Sequence, residues 1–164
     1  MAADAAFLAE LNAALAAAPV LVHGMPVLVV ERTRVFETAR TLRERFAFDM
    51  LLDVTAVDWL GCAGRAARFE VVWHFMRSRA PARLRLKTEV PEDAPAVASL
   101  TALYGSAAFM ERECHEMFGI RFEGNADLRP ILLYEGFTGH PLRKDYDKRR
   151  EQPLVAYRDG TPPG

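Results

Sequence analysis

The sequence predicts an α+β domain, with helices packed on one side of a mostly antiparallel sheet, followed by an extended arm. Three observations carry this prediction. Segments between residues 50 and 90 alternate apolar and polar side chains with a period of two. Segments before and after them repeat apolar residues at helical spacing. Beyond residue 124 neither period survives. The expected units are therefore an α+β domain over 1–124 and an arm over 125–164.

Each element has its own warrant. Phe7, Leu8, Leu11 and Leu15 fall on one helical stripe, with Asp4 placed to cap it and Pro19 to end it. "PVLVVE" (26–31) is a short apolar run and reads as a buried strand. Thr33 stands where it would cap a second helix. That helix would turn Val35, Ala39, Leu42 and Phe46 inward and Arg34, Glu37, Arg43 and Glu44 outward.

Three strands are expected next. In "MLLDVTAV" (50–57), Met50, Leu52, Val54 and Ala56 alternate against Asp53 and Thr55. "RFEVVWHFM" (68–76) places Phe69, Val71, Trp73 and Phe75 on one face. "RLRLKTEV" (83–90) turns Leu84, Leu86 and Val90 inward and Arg83, Arg85, Lys87 and Glu89 outward. The short links "GCAG" (61–64) and "SRAPA" (78–82) make these three an antiparallel meander. "PEDAP" (91–95) punctuates the chain, and a helix is expected near 95–104. Ser106 would cap a last helix carrying Met110, Cys114, Met117 and Phe118 on its stripe, with Gly119 at its C-terminal cap.

Residues 124–164 hold half of the chain's glycines and half of its prolines. They also carry Leu132, Leu133, Tyr134, Phe137, Leu142, Tyr146, Leu154, Val155 and Tyr157. A long stretch without periodicity is uncommon in a compact domain. An apolar one needs a surface to lie on. The domain supplies part of that surface, and a partner protein is the other candidate. Few self-contacts are expected, so truncation before Pro141 should leave the domain's own unfolding unchanged. Residues 159–164 have no anchor.

Composition excludes several function classes. The net charge is −1, which gives no whole-chain field toward nucleic acid or an anionic membrane. "RKDYDKRR" (143–150) is basic but interrupted by Asp145 and Asp147. The N-terminal "MAADAAFLAELNAALAAAP" is broken by Asp4, Glu10 and Asn12, and no stretch reaches the roughly 18 apolar residues of a membrane span. Any membrane contact would come through a partner. The two cysteines, Cys62 and Cys114, form no C-x-x-C pair, so that route to an iron–sulfur cluster or structural zinc is missing.

"GFTGHP" (136–141) lacks the lysine and the strand–helix setting of a phosphate loop and reads as turns. His23 reads as a loop residue and His74 as a structural strand residue. Glu111 and His115 share a helix face, as do Glu113 and Glu116, a spacing that can hold a metal. The simpler reading pairs Glu111 with His115 and Arg112 with Glu116 as ordinary surface contacts. Cys114 falls on the apolar stripe as a core thiol. A domain without a cofactor motif and with a sticky arm describes one member of an assembly better than a freestanding enzyme.

The stretch "ERECHEMFGIRFEGNADLRPIL" (111–132), followed by "GFTGHPLRKDY" (136–146), resembles a known signature. It is that of the C-type (30 kDa) subunit family of proton-pumping NADH:quinone oxidoreductase, respiratory complex I. Membrane-bound nickel–iron hydrogenases carry a related protein. The chain departs from the family pattern at Phe109, Ala126, Pro130 and Asp147, where Trp, Pro, Arg and Pro are usual.

The resemblance implies a non-catalytic scaffold without a redox centre of its own. FMN, iron–sulfur clusters and quinone would belong to other subunits. The scaffold would pack against a D-type partner, which lines the quinone site, and against neighbouring iron–sulfur subunits. It would sit peripherally on the cytoplasmic side of the inner (plasma) membrane and support electron transfer from NADH to quinone. The matching residues would form the partner interface: Glu111, Arg112, Glu113, Phe118, Gly119, Asp127, Leu128, Arg129, Gly139, His140, Pro141, Leu142, Arg143, Lys144, Asp145 and Tyr146. Two alternatives stand beside it. One is the equivalent hydrogenase protein. The other is an independent metal-dependent hydrolase using Glu111, His115 and His140.

Overall fold

A computed structural model describes residues 5–147 and 149. Its elements, in chain order, are α1 (Ala5–Leu15), β1 (Val20–Val22), β2 (Met25–Val29), a 3-10 turn (Arg32–Arg34), α2 (Val35–Glu44), β3 (Met50–Asp58), β4 (Phe69–Arg77), β5 (Ala82–Val90), β6 (Ala96–Ala98), α3 (Ala107–Phe118) and β7 (Arg121–Glu123). The fold is α+β, as the patterning predicts.

The alternating segments form the predicted meander: β3 pairs antiparallel with β4, and β4 with β5. Trp73 sits at its centre, opposite Val54 on one side and Leu86 on the other. Phe69, Val71, Trp73, Phe75, Leu84, Leu86 and Val90 are all fully buried, so the predicted inward faces of β4 and β5 hold. The sheet is mixed, in the order β1-β2-β5-β4-β3, because β2 joins β5 in parallel. β1, at the edge beside β2, is too short to show a period.

Four local expectations are corrected. First, the register of β3 shifts between Leu51 and Asp53. An irregularity of this kind changes which side chains face in. Leu51, Val54 and Ala56 are buried, while Met50 is exposed and Leu52 only half-buried. Second, Thr33 lies inside the 3-10 turn, and the position capping α2 is Arg34, without a side-chain hydrogen bond. Third, Ser106 precedes α3 as expected, but its hydroxyl donates to the Leu51 carbonyl (3.1 Å) instead of capping the helix. The expected Asp4 cap lies outside the described residues.

The fourth correction is the largest. The expected helix near 95–104 is instead β6, parallel to β7, followed by turns. Local alanine content favours a helix there. Tertiary burial wins: Val97, Leu100 and Tyr104 reach the core, and the Tyr104 hydroxyl donates to the Phe48 carbonyl (2.8 Å).

The helices close the core. Leu11 and Leu15 of α1 and Val35, Ala39 and Leu42 of α2 are buried, and Phe7 meets Phe46 edge-on at 6.1 Å. α3 packs against β3 and buries Ala107, Cys114, Met117 and Phe118. Gly119 ends it in the left-handed conformation (φ 73°), as a C-terminal glycine should.

Candidate protein interface

α3 is the post to which the following segment is tied. Glu111 is fully buried. It accepts from the Ser99 hydroxyl (2.7 Å), the Leu100 amide (2.7 Å) and Asn125 Nδ2 (3.0 Å). Burial pushes its carboxyl pKa up against those three donors. One residue on, Arg112 donates to the carbonyls of Arg129 (2.9 Å) and Pro130 (3.0 Å). Glu116, also buried, accepts the consecutive amides of Ile131 (3.3 Å), Leu132 (2.9 Å) and Leu133 (2.9 Å).

The expected surface pairs Glu111–His115 and Arg112–Glu116 are therefore not formed. His115 turns its Nδ1 to the Ile120 carbonyl (2.9 Å). A buried carboxylate needs several donors, and loop amides supply them where one exposed helix neighbour would not.

The end of α3 is capped by residues more than twenty positions later. The carbonyls of Glu116, Met117 and Phe118 receive His140 Nδ1 (2.9 Å), the Leu142 amide (3.2 Å) and Arg143 Nε (2.6 Å). These are carbonyls that a helix leaves without intrahelical donors. Gly119 is required here twice over. A Cβ on it would lie 2.5 Å from both Arg143 Nη2 and His140 Nε2, and its φ is positive.

Beyond this cap the chain is pinned to the sheet. Arg68 grips Asp58 through two nitrogens (3.2 and 3.0 Å) and reaches Asp145 (2.6 Å) and Glu92 (2.5 Å). Asp58 also accepts the Lys144 amide (2.9 Å). The hydrogen bonds that Arg68 donates to Asp58, then to Asp145, raise its pKa, so it stays charged. Tyr146 stacks on Phe137 (6.0 Å) and lies close enough to Gly139 that a Cβ there would be 3.0 Å from its ring.

The remaining signature residues fall around this frame. Asp127 is forked by Arg129 (2.9 and 2.8 Å), which holds its carboxyl well below the usual range. Leu128 packs against the core, Pro141 is half-buried, and Glu113 is exposed. The segment thus makes far more contact with its own domain than the sequence suggests. Its outer side keeps apolar groups in solvent: Leu132 is 63% exposed and Leu142 54%, joined by Phe109 of α3 at 62% and Leu60 at 39%.

Sequence reasoning missed Asp58, Arg68, Ser99 and Asn125. One signal was available for Asp58. It continues the inward series Val54 and Ala56, and a charge in that phase requires a buried partner. Glu111, His115 and His140 do not converge. Among the described residues no three His, Cys, Asp or Glu groups could hold a metal ion. No helix among them is long and apolar enough to cross a membrane.

The chain is similar to known proteins. The family described as "Respiratory-chain NADH dehydrogenase, 30 Kd subunit" matches residues 28–152. The NADH-quinone oxidoreductase C subunit of Trichlorobacter lovleyi is 43% identical over 120 residues, 73% of either chain. The NADH-quinone oxidoreductase C/D subunit of Bdellovibrio bacteriovorus is 43% identical over 111 residues, which is 68% of this chain and 19% of that one. Among solved structures, a trypsin-resistant fragment (1–134) of Nqo5 superposes with a TM-score of 0.65 at 31% identity, covering 74% of this chain and 96% of the fragment. The fold alone is shared with a chain of an archaeal membrane-bound sulfane sulfur reductase (TM-score 0.76, 23% identity, 87% of this chain and 85% of that one). With its signature built around α3 and its fold matched over most of its length, this chain belongs to the 30 kDa subunit family of the respiratory-chain NADH dehydrogenases, the NADH-quinone oxidoreductase C subunits.

Proposed function

We propose that this chain is a cofactor-free scaffold in the peripheral arm of the oxidoreductase, and that the face formed by α3 and residues 125–146 docks a D-type partner. One observation carries the reading. The signature side chains shape a segment of backbone instead of converging on a reactive point, and α3 and that segment leave Phe109, Leu132 and Leu142 facing solvent. Apolar groups presented on a well-ordered frame suit the centre of a protein interface.

The Bdellovibrio relative supports adjacency, because one chain there carries both the C and the D designation. Electrons would pass from NADH to quinone through FMN and iron–sulfur clusters in other subunits. The chain would meet the cytoplasmic side of the membrane only through the complex. A second reading follows from the fold shared with the archaeal reductase: an equivalent place in another membrane-bound respiratory assembly, such as a hydrogenase.

Affinity purification of the tagged chain from its native membrane tests both readings. The expected companions are a D-type protein and iron–sulfur subunits of the oxidoreductase. Recovery of hydrogenase subunits instead would move the chain to the second assembly. Stoichiometric iron or flavin in the chain separated from its companions would defeat the scaffold reading itself.

A further inference from the structure

We infer that Arg143 and Lys144 form a cationic notch that receives a carboxylate side chain from the docked protein. This rests on the docking role proposed above and specifies its chemistry. The nearby acids are already taken by the chain itself. Glu111 and Glu116 accept backbone and side-chain donors, and Asp58 and Asp145 are held by Arg68. The sequence "RKD" looks nearly balanced, but its Asp145 faces Arg68 and leaves the two cations beside it uncompensated. Among the described residues neither Arg143 nor Lys144 has a carboxylate at salt-bridge distance. Lys144 Nζ reaches only the Leu60 carbonyl (3.4 Å) and Cys62 Sγ (3.2 Å).

Arg143 is arranged for such a ligand. Its Nε is fixed on the Phe118 carbonyl, and its guanidinium carbon lies 5.1 Å from the Phe69 ring centre. Its two Nη groups have no acceptor among the described residues, Nη2 lies against Gly119, and the side chain as a whole is half-buried. A planar fork held in one orientation fits a carboxylate by two parallel hydrogen bonds. Leu142, its neighbour in the chain, and Leu60, whose carbonyl Lys144 reaches, are both exposed. The ligand is therefore an Asp or Glu bordered by apolar groups, as a protein surface offers.

The test uses the assembled complex. Zero-length carbodiimide coupling followed by peptide mass spectrometry should join Lys144 to an Asp or Glu of a neighbouring protein. Arg143→Gln should weaken association roughly thirtyfold, the scale for removing one member of a desolvated charge pair. Lys144→Glu, which leaves every bond of Arg143 in place, should also lower recovery while the full chain melts as the wild type does. Coupling of Lys144 only to this chain's own acids would overturn the notch, as would unchanged recovery of both variants. Arg143-dependent flotation with phosphatidylserine vesicles would overturn it too, assigning the cations to lipid phosphate. If the wild-type chain itself fails to co-purify, the docking role fails; if only the variants behave as wild type, the notch alone does.

Discussion

Arg68 shows at the scale of a single residue how a buried charge is tolerated. Three carboxylates share it, and its own ring neighbour, Phe69, lies 4.9 Å from the guanidinium carbon. For Asp58, burial raises the pKa, but Arg68 and the amides of Lys144 and Leu60 outweigh it, and the net value falls below the ordinary 3.8. For Asp145, the Arg68 hydrogen bond is the main cause of a value lowered from the same 3.8. Both folded pKa values are depressed. In acid the unfolded chain therefore binds more protons than the native one. The stabilisation is fully present above 3.8 and is lost as pH falls through the folded values.

Asp145→Asn should therefore be less stable than wild type at neutral pH, with the gap closing in acid. Asp145 is half exposed, so solvent screening should hold the gap to within about 1 kcal/mol. Asp58→Ala should cost about 3 kcal/mol, because it breaks a buried pair while Glu92 and Asp145 still reach Arg68. Urea unfolding as a function of pH checks both. A gap for Asp145→Asn that persists undiminished in acid would contradict the linkage. Only the inward phase of Asp58 was legible locally; its partners were not. Asp58 and Arg68 are ten residues apart at facing strand ends, and Asp145 arrives from far along the chain.

At the scale of the element, α3 explains why parts of the sequence were readable and others were not. The strands β3 to β5 announce themselves because alternation is a property of the strand alone. The start, stripe and glycine end of α3 are local for the same reason. The partners of Glu111 and Glu116 are not local. Helical spacing offered them His115 and Arg112, yet the amides that satisfy Glu116 lie 15–17 positions on. Residues 95–104 failed in the same way, since β6 exists only because β7 lies beside it.

Gly119 tests the element. Gly119→Ala forces a side chain into positive φ, at about 1 kcal/mol, and drives a methyl into His140 and Arg143. The cap on the Glu116, Met117 and Phe118 carbonyls should open. Amide exchange at Leu142, whose N–H donates to the Met117 carbonyl, should speed up well before global unfolding. Unchanged protection there would show that the cap does not depend on the glycine.

At the scale of the whole molecule, the question is how residues 125–147 divide their contacts between their own domain and a partner. Sequence reasoning expected a cut before Pro141 to leave the domain's unfolding unchanged. The hydrogen bonds argue otherwise. A chain ending at His140 loses the Leu142 and Arg143 donors to α3, the Lys144 amide on Asp58 and the Asp145 carboxylate on Arg68. Each such bond contributes about 1 kcal/mol net, and more where one partner is charged. The shortened domain should therefore unfold at lower urea concentration. A chain ending at Asp147 keeps all of these contacts and should unfold at higher urea concentration than the chain ending at His140. Assembly separates the two roles further. Leu132 and Leu142 reach solvent in the free chain, and Leu132→Ser with Leu142→Ser removes apolar groups without touching the bonds that hold the segment. That double variant should unfold like the wild type yet be recovered poorly in the complex. Urea unfolding alongside recovery from native membranes distinguishes the cases: a stable double variant that assembles normally would mean that residues 125–147 serve their own domain and that docking lies elsewhere on the molecule.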